Sequence, residues 1–307
     1  MRTKCMAFVI LLVASLIFAP FVFADEESKG EINWVGGYVS GIAQATAPPS
    51  GNRAKDRIKA LRAAEVLALR ALAETTKGVR IDGETMVQDM MLVGDVVRSR
   101  VEGVVKGAQM YKSILEWDGD SPVATIEMRI CLIPNAADCK SNSSLLGALP
   151  LEQKKEPTYV PVEKFSIESA PAEKKELQPA PKPVVPSYDT SKPVTGVVVS
   201  LGGRYFEKEL LPVVVTEGGA GKYVTVYSVK IVNPDIIRKY GVVRYADSIE
   251  QAVKNPYLGN NVMVVPAMDV TKENMISISR ESAKTIRETM SYGNNYLSEA
   301  KVIISSN

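Results

Sequence analysis

Apolar and polar residues follow one another most regularly in residues 53–85. With Ile58 set at zero on a helical wheel, Leu61, Ala64, Ala68, Leu69, Ala71 and Leu72 fall on one broad apolar arc, and Lys59, Arg62, Arg70, Glu74 and Lys77 gather opposite. That spacing predicts an amphipathic helix. Alanines at 60, 64, 68 and 71 would let its backbone approach a partner closely, which predicts packing flat on a sheet, and Gly78 ends it as a C-cap. Glu65 lies nearer the arc than the other charges, at an exposed edge or a partner contact. The flanks, residues 34–47 and 79 onward, read as strands, so the helix is expected to cover one face of a small sheet.

Around this helix the pattern predicts the rest of a first domain. Residues 25–31 are a charged leader, 34–43 alternate as a strand, and 48–52 turn into the helix. Residues 79–82 read as a short strand, and 86–97 as either a second helix or a connection. Residues 102–116 carry apolar positions without a clean period, read as a strand interrupted near Gly107. Asp118-Gly119 sits in a hairpin turn, because Asp-Gly supports the positive φ values such turns need, and the return strand is 123–133. The expectation is an antiparallel or mixed sheet with one or two helices on it.

From 141 to 193 the composition changes to Pro, Lys, Glu, Ser and Ala with few large apolar residues, which predicts an extended, disordered linker. At about 3.1 Å per residue it would reach on the order of 150 Å, so the two halves are expected to be tethered without needing to dock. Beyond it, strands are expected at 197–201, 210–216, 223–232, 262–267, 275–279 and 300–305, and helices at 234–240, 248–254 and 280–290. The fold class is therefore α+β: two small domains, residues 25–140 and 194–307, each a sheet covered by helices, joined by a long proline-rich linker.

The first 24 of the 307 residues read as a secretory signal. Arg2 and Lys4 form the basic start, residues 8–18 the apolar core, and Val22-Phe23-Ala24 a small-x-small site, which predicts cleavage between Ala24 and Asp25. Cys5 precedes the apolar core and so cannot be a lipidated cysteine following it. Of 37 basic residues two lie in this leader, which leaves 35 against 35 acidic ones; a neutral mature chain has no global field to attract nucleic acid. No transmembrane span is expected in the mature chain. Cys131 and Cys139, with seven residues between them, then lie in an oxidising compartment, and a disulfide between them is expected, worth about 2 kcal/mol on the chain-entropy argument.

Histidine is absent from the chain, which removes nucleophiles that rely on an imidazole base and most zinc sites. Gly218-Gly219-Ala220-Gly221-Lys222 departs from a phosphate loop, with Thr216 where the first glycine belongs and Tyr223 where Ser or Thr belongs, and reads as a hairpin loop. Asp118-Gly119-Asp120 and Asp82-Gly83-Glu84 read as turns rather than calcium ligands. No catalytic, metal or cofactor residue is expected.

The runs Ala60-Leu61-Arg62-Ala63-Ala64, residues 68–74, residues 78–85 (GVRIDGET) and residues 98–108 (RSRVEGVVKGA) resemble the LPP twenty-kilodalton lipoprotein family. They are also similar to the N-terminal domain of flagellar assembly protein T (FlgT) and to FlgP, the outer-membrane flagellar lipoprotein. The likeness covers about residues 34–133. It implies a compact α+β domain in a bacterial envelope protein, in the periplasm or at the outer membrane, and relatives of this kind include non-enzymatic parts of rings around the flagellar motor. The chain departs from the lipoproteins in having no cysteine after the apolar core. The expectation is an exported, non-enzymatic structural or assembly protein with protein partners in the envelope, self-association among them. The alternative is a periplasmic binding module whose C-terminal domain holds a glycan or small ligand.

Overall fold

A computed structural model describes residues 28–141, 143–150, 188–218, 222–290 and 294–307. The expected cleavage position at Ala24 and Asp25, and residues 151–187 of the expected linker, lie outside these.

The first half is a four-stranded antiparallel sheet. Its strands are β1 (Ser28–Asn33), β2 (Tyr38–Thr46), β3 (Gln109–Asp118) and β4 (Ser121–Cys131), in the order β1-β2-β4-β3. One long helix, α1 (Arg53–Lys77), lies across β1, β2 and β4. Ala60, Ala64, Ala68 and Leu72 form its innermost line and are fully buried. They meet glycines: Gly30 and Gly41 pair across β1 and β2. A Cβ on Gly41 would stand 2.1 Å from the Ala68 carbonyl oxygen, and one on Gly30 would stand 1.6 Å from Thr75 Oγ1. Alanine on the helix and glycine on the sheet thus bring the two backbones into contact. Asn52 caps the helix start by accepting from the Lys55 amide, while the buried Asp56 carboxylate accepts from the Ser50 amide and hydroxyl at 2.7 and 2.6 Å. Those bonds hold Asp56 below its usual pKa range. Gly78 ends the helix at φ −81°, within reach of any residue.

The buried line is rotated from the arc expected of Ile58, which is 60% exposed. The contact follows the small residues, because bulky Ile58 would hold the helix off the glycines. Other boundaries differ too: residues 79–82 make only an isolated Arg80–Met86 bridge rather than a strand, and the strands expected at 210–216 and 223–232 span 214–217 and 223–227. Residues 28–33 form β1, of which 28–31 were expected in a charged leader; the strand is held by backbone pairing and a tight turn in which Gly37 N–H donates to the Asn33 carbonyl, 2.8 Å. Residues 34–37 form that turn. Residues 102–106 belong to a helix: α2 (Val87–Val93) leads into α3 (Asp95–Lys106), and Gly107 caps α3 rather than interrupting a strand. A short helix, α4 (Leu145–Ala148), closes this half, its Leu146 amide donating to the Leu132 carbonyl.

The second half is a seven-stranded mixed sheet. It contains β5 (Gly196–Ser200), β6 (Val214–Glu217), β7 (Tyr223–Tyr227), β8 (Arg244–Ala246), β9 (Val262–Val270), β10 (Ile276–Ile278) and β11 (Val302–Ser305), ordered β7-β6-β10-β9-β5-β11-β8. Strands β9, β5, β11 and β8 run parallel, and β5 is buried throughout, as a parallel core strand should be. Three helices accompany it, α5 (Pro234–Tyr240), α6 (Ile249–Val253) and α7 (Arg280–Met290). One face packs against α6 through Val198, Ala252, Leu258 and Ile303.

The other face joins the first half in one continuous apolar core. The Leu210 and Leu211 amides donate to the Arg80 and Ile81 carbonyls at 3.1 and 2.8 Å, Arg80 pairs with Glu207, and Asn135 Nδ2 donates to the Lys239 carbonyl at 2.8 Å. The halves are docked, not merely tethered. A long tether permits docking, and the start of the expected linker is itself folded: residues 145–149 pack onto the first half through buried Leu145, Leu146 and Leu149.

Candidate functional site

Cys131 and Cys139 are joined, with their Cα atoms 5.4 Å apart, at the end of β4. Asp118 ends β3, and Gly119, at φ +56°, and Asp120 form the two-residue β3–β4 hairpin turn. Asp82 Oδ1 accepts the amides of Glu84 and Thr85, and so closes its own turn. Glu65 pairs with Arg62 on the outer surface of α1. Gly218 N–H donates to the Lys222 carbonyl between antiparallel β6 and β7, and Arg280 donates to the Glu217 and Gly218 carbonyls; residues 219–221 lie outside the described residues. Among the described residues no group of three or more Cys, Asp or Glu is placed to hold a metal ion. No described helix is long and apolar enough to cross a membrane.

The structure brings together three groups that the sequence reading did not. The first is an acid in the seam between the halves. Glu209 is only 1% exposed and faces a small cavity lined by Trp34, Leu132, Ile133, Leu210 and Tyr245. Its amide donates to Tyr245 Oη at 3.0 Å, Tyr245 Oη donates to its carbonyl at 2.7 Å, and Asn274 Nδ2 donates to its carboxylate at 3.0 Å. Burial raises its pKa to about 8, with Asp82 and Glu207 adding to the rise and Asn274 and Arg80 opposing it. A carboxyl raised into this range is the mark of many acid catalysts. Here the space before it is water-sized, and the acid fills the seam between the halves.

The second group is in the parallel sheet. The Arg244 guanidinium lies 3.6 Å from the Tyr257 ring centroid and 5.9 Å from that of Tyr240, and its buried Nη1 has no hydrogen-bond partner. Burial lowers its pKa.

The third group is the sheet face of the first half that α1 does not cover. By register it carries Tyr38, Ser40, Ile42 and Gln44 of β2, Glu127 and Arg129 of β4, and Lys112, Ile114 and Glu116 of β3. The Arg129 guanidinium lies between two rings, 3.9 Å from the Tyr38 centroid and 3.2 Å from that of Tyr111, and its Nε donates to Glu127 Oε1 at 2.5 Å. Tyr111, at a bulge in β3, is 61% exposed on its outer side. Beyond it β3 forms the sheet edge, and among the described residues no strand pairs with its outer side. The sequence signal for this face was Glu127 and Arg129, two charges spaced by two within an apolar strand; their ring partners came from 18 and 91 positions earlier and lay beyond pattern reading.

Residues 196–307 match a family model of the second domain of Treponema pallidum Tp0624. The matched span runs from the first residue of β5 to the C-terminus, and so covers the seven-stranded sheet, α5–α7, Glu209 and Arg244. A search of curated proteins finds no match to the chain. The Tp0624-like half contributes Glu209, Tyr245 and Leu210 to the seam, while the uncovered sheet face lies wholly outside the matched span.

Proposed function

We propose that this chain is an exported, non-enzymatic protein of the bacterial cell envelope that works by protein–protein contact, as a structural or assembly component in the periplasm or at the outer membrane. The observation that carries this reading is β3: ten residues of sheet edge, largely exposed, with no strand on its outer side among the described residues. An open edge offers a row of backbone donors and acceptors to another chain. The expected signal at residues 1–24 and the resemblance of residues 34–133 to flagellar and lipoprotein envelope domains support the compartment. A ring at the flagellar motor is one setting for such a component.

The test is cross-linking in intact cells through a photoreactive residue in place of Tyr111, followed by identification of the adducts. Adducts at that position to a second copy or to envelope proteins are expected. A chain that gives no adduct from Tyr111, Lys112 or Ile114 positions overturns the reading.

A second reading, a ligand-binding C-terminal half, rests on the unpartnered Arg244 Nη1 among tyrosines. A thermal-shift screen of small acids and glycans against wild type and Arg244→Met would detect it, as a stabilisation that the variant lacks.

A further inference from the structure

The longest sheet edge without a neighbour among the described residues is that of β3, and its side chains are self-complementary. We propose that β3 pairs with β3 of a second copy of this chain, antiparallel about a two-fold axis through Ile114, so that Lys112 of each copy faces Glu116 of the other. This rests on the reading that the protein works by protein contact, and it names the partner and the surface. Residues directly opposite in an antiparallel pair share a face. Lys112, Ile114 and Glu116 share the uncovered face, because they stand opposite Glu127, Thr125 and Val123 of β4. An axis through Ile114 therefore sets each lysine against a glutamate and Ile114 against its own copy, with Ser113 opposite Leu115 on the helix side.

Neighbouring registers do worse. An axis through Ser113 places Lys112 opposite Ile114, and one through Leu115 places Glu116 opposite Ile114. Of the three, only the Ile114 register sets both Lys112 and Glu116 against an opposite charge. A lone lysine on an edge discourages pairing; a lysine and a glutamate four residues apart on one face, both exposed, select a two-fold partner instead. The half-exposed Met110 and the more exposed Tyr111 then gain cover near Trp117 and Asp118 of the second copy. The opposite edge, β1, is shorter and carries Lys29, Gly30 and Glu31, with Ile32 its only large apolar residue.

The experiment is light scattering with a dilution series, on protein purified from cells expressing the full-length gene. The wild type is expected at twice the chain mass. Lys112→Glu and Glu116→Lys should each raise the dimer Kd roughly tenfold or more, because the axis repeats each clash, and the double reversal should return it to within about threefold of wild type. Glu116→Lys is the cleaner single change, since Lys112 also faces Glu127 within its own sheet. A wild type that stays monomeric overturns the pairing, with contacts to other proteins still read by the cross-linking. An oligomer indifferent to both single reversals overturns β3 pairing alone and leaves the assembly reading in place. Single losses without rescue in the double variant overturn the Ile114 register.

Discussion

The ring of Trp34, in the first half, stands edge-on to the ring of Tyr245, in the second, with centroids 5.6 Å apart and planes at 71°. Such a T-shaped pair adds to the area it buries. It belongs to the seam that also holds Glu209, so loosening it should be felt by both sheets. Trp34→Ala is expected to cost about 2–3 kcal/mol, below the range for a fully buried tryptophan because Trp34 is half-buried. Urea denaturation should show a lower midpoint and an earlier transition for the second half, while an unchanged curve would mean that the seam contributes nothing.

Glu209 makes stability depend on pH in a direction opposite to most carboxylates. Its pKa rises from 4.5 to about 8 on folding, so between those values the folded chain holds a proton that the unfolded chain has lost. Stability is therefore fully present below about 4.5, falls as pH rises through that window, and levels off above about 8. The slope from this one group approaches about 1.4 kcal/mol per pH unit. Glu209→Gln keeps an acceptor for Asn274 and removes the titration. Urea midpoints measured from about pH 5 to 8 should fall for the wild type more steeply than for the Glu209→Gln variant, and the variant should be the more stable of the two at the alkaline end. Parallel curves would refute the assignment.

Gly41 and Gly103 should respond to alanine in opposite ways. A Cβ at Gly41 meets the Ala68 carbonyl oxygen at 2.1 Å and the Leu72 amide nitrogen at 2.6 Å, both backbone atoms, so α1 must lift from the sheet. About 2–3 kcal/mol should be lost. Gly103 lies inside α3 with nothing within 4 Å of its absent Cβ, and alanine there should add about 0.5–1 kcal/mol through helix propensity. Thermal unfolding of the two variants checks both signs at once.

The Cys131–Cys139 bridge closes a short loop at the end of β4, with a sequence separation of 8. On the chain-entropy argument its loss should cost about 2–3 kcal/mol. Cys139→Ser, or a reducing agent, should lower the denaturation midpoint correspondingly, and the Cys131→Ala/Cys139→Ala pair should be insensitive to the reductant.

The elements read most clearly from sequence were those whose signals are local. The 234–240 and 280–290 helices coincide with α5 and α7, since Asn233 with Pro234 and the charged spacing of 280–290 act within one or two turns. The Asp118-Gly119 hairpin is likewise a two-residue signal. Residues 28–33 were missed because β1 is held by its neighbour's backbone and not by its own side chains, and the end of α3 was missed because valine-rich residues 101–105 carry strand propensity that packing overrides.

By itself the sequence determined the two-part α+β plan, the helix with its alanine line, and the hairpin, all of which rest on periods and turn chemistry within a few residues. Only the tertiary structure decided that the halves dock, that Glu209 is buried between them, and that Arg129 stacks between Tyr38 and Tyr111 beside the β3 edge. Each of these depends on residues far apart in the chain meeting at one place, and the burial and field that result exist only once the chain has folded.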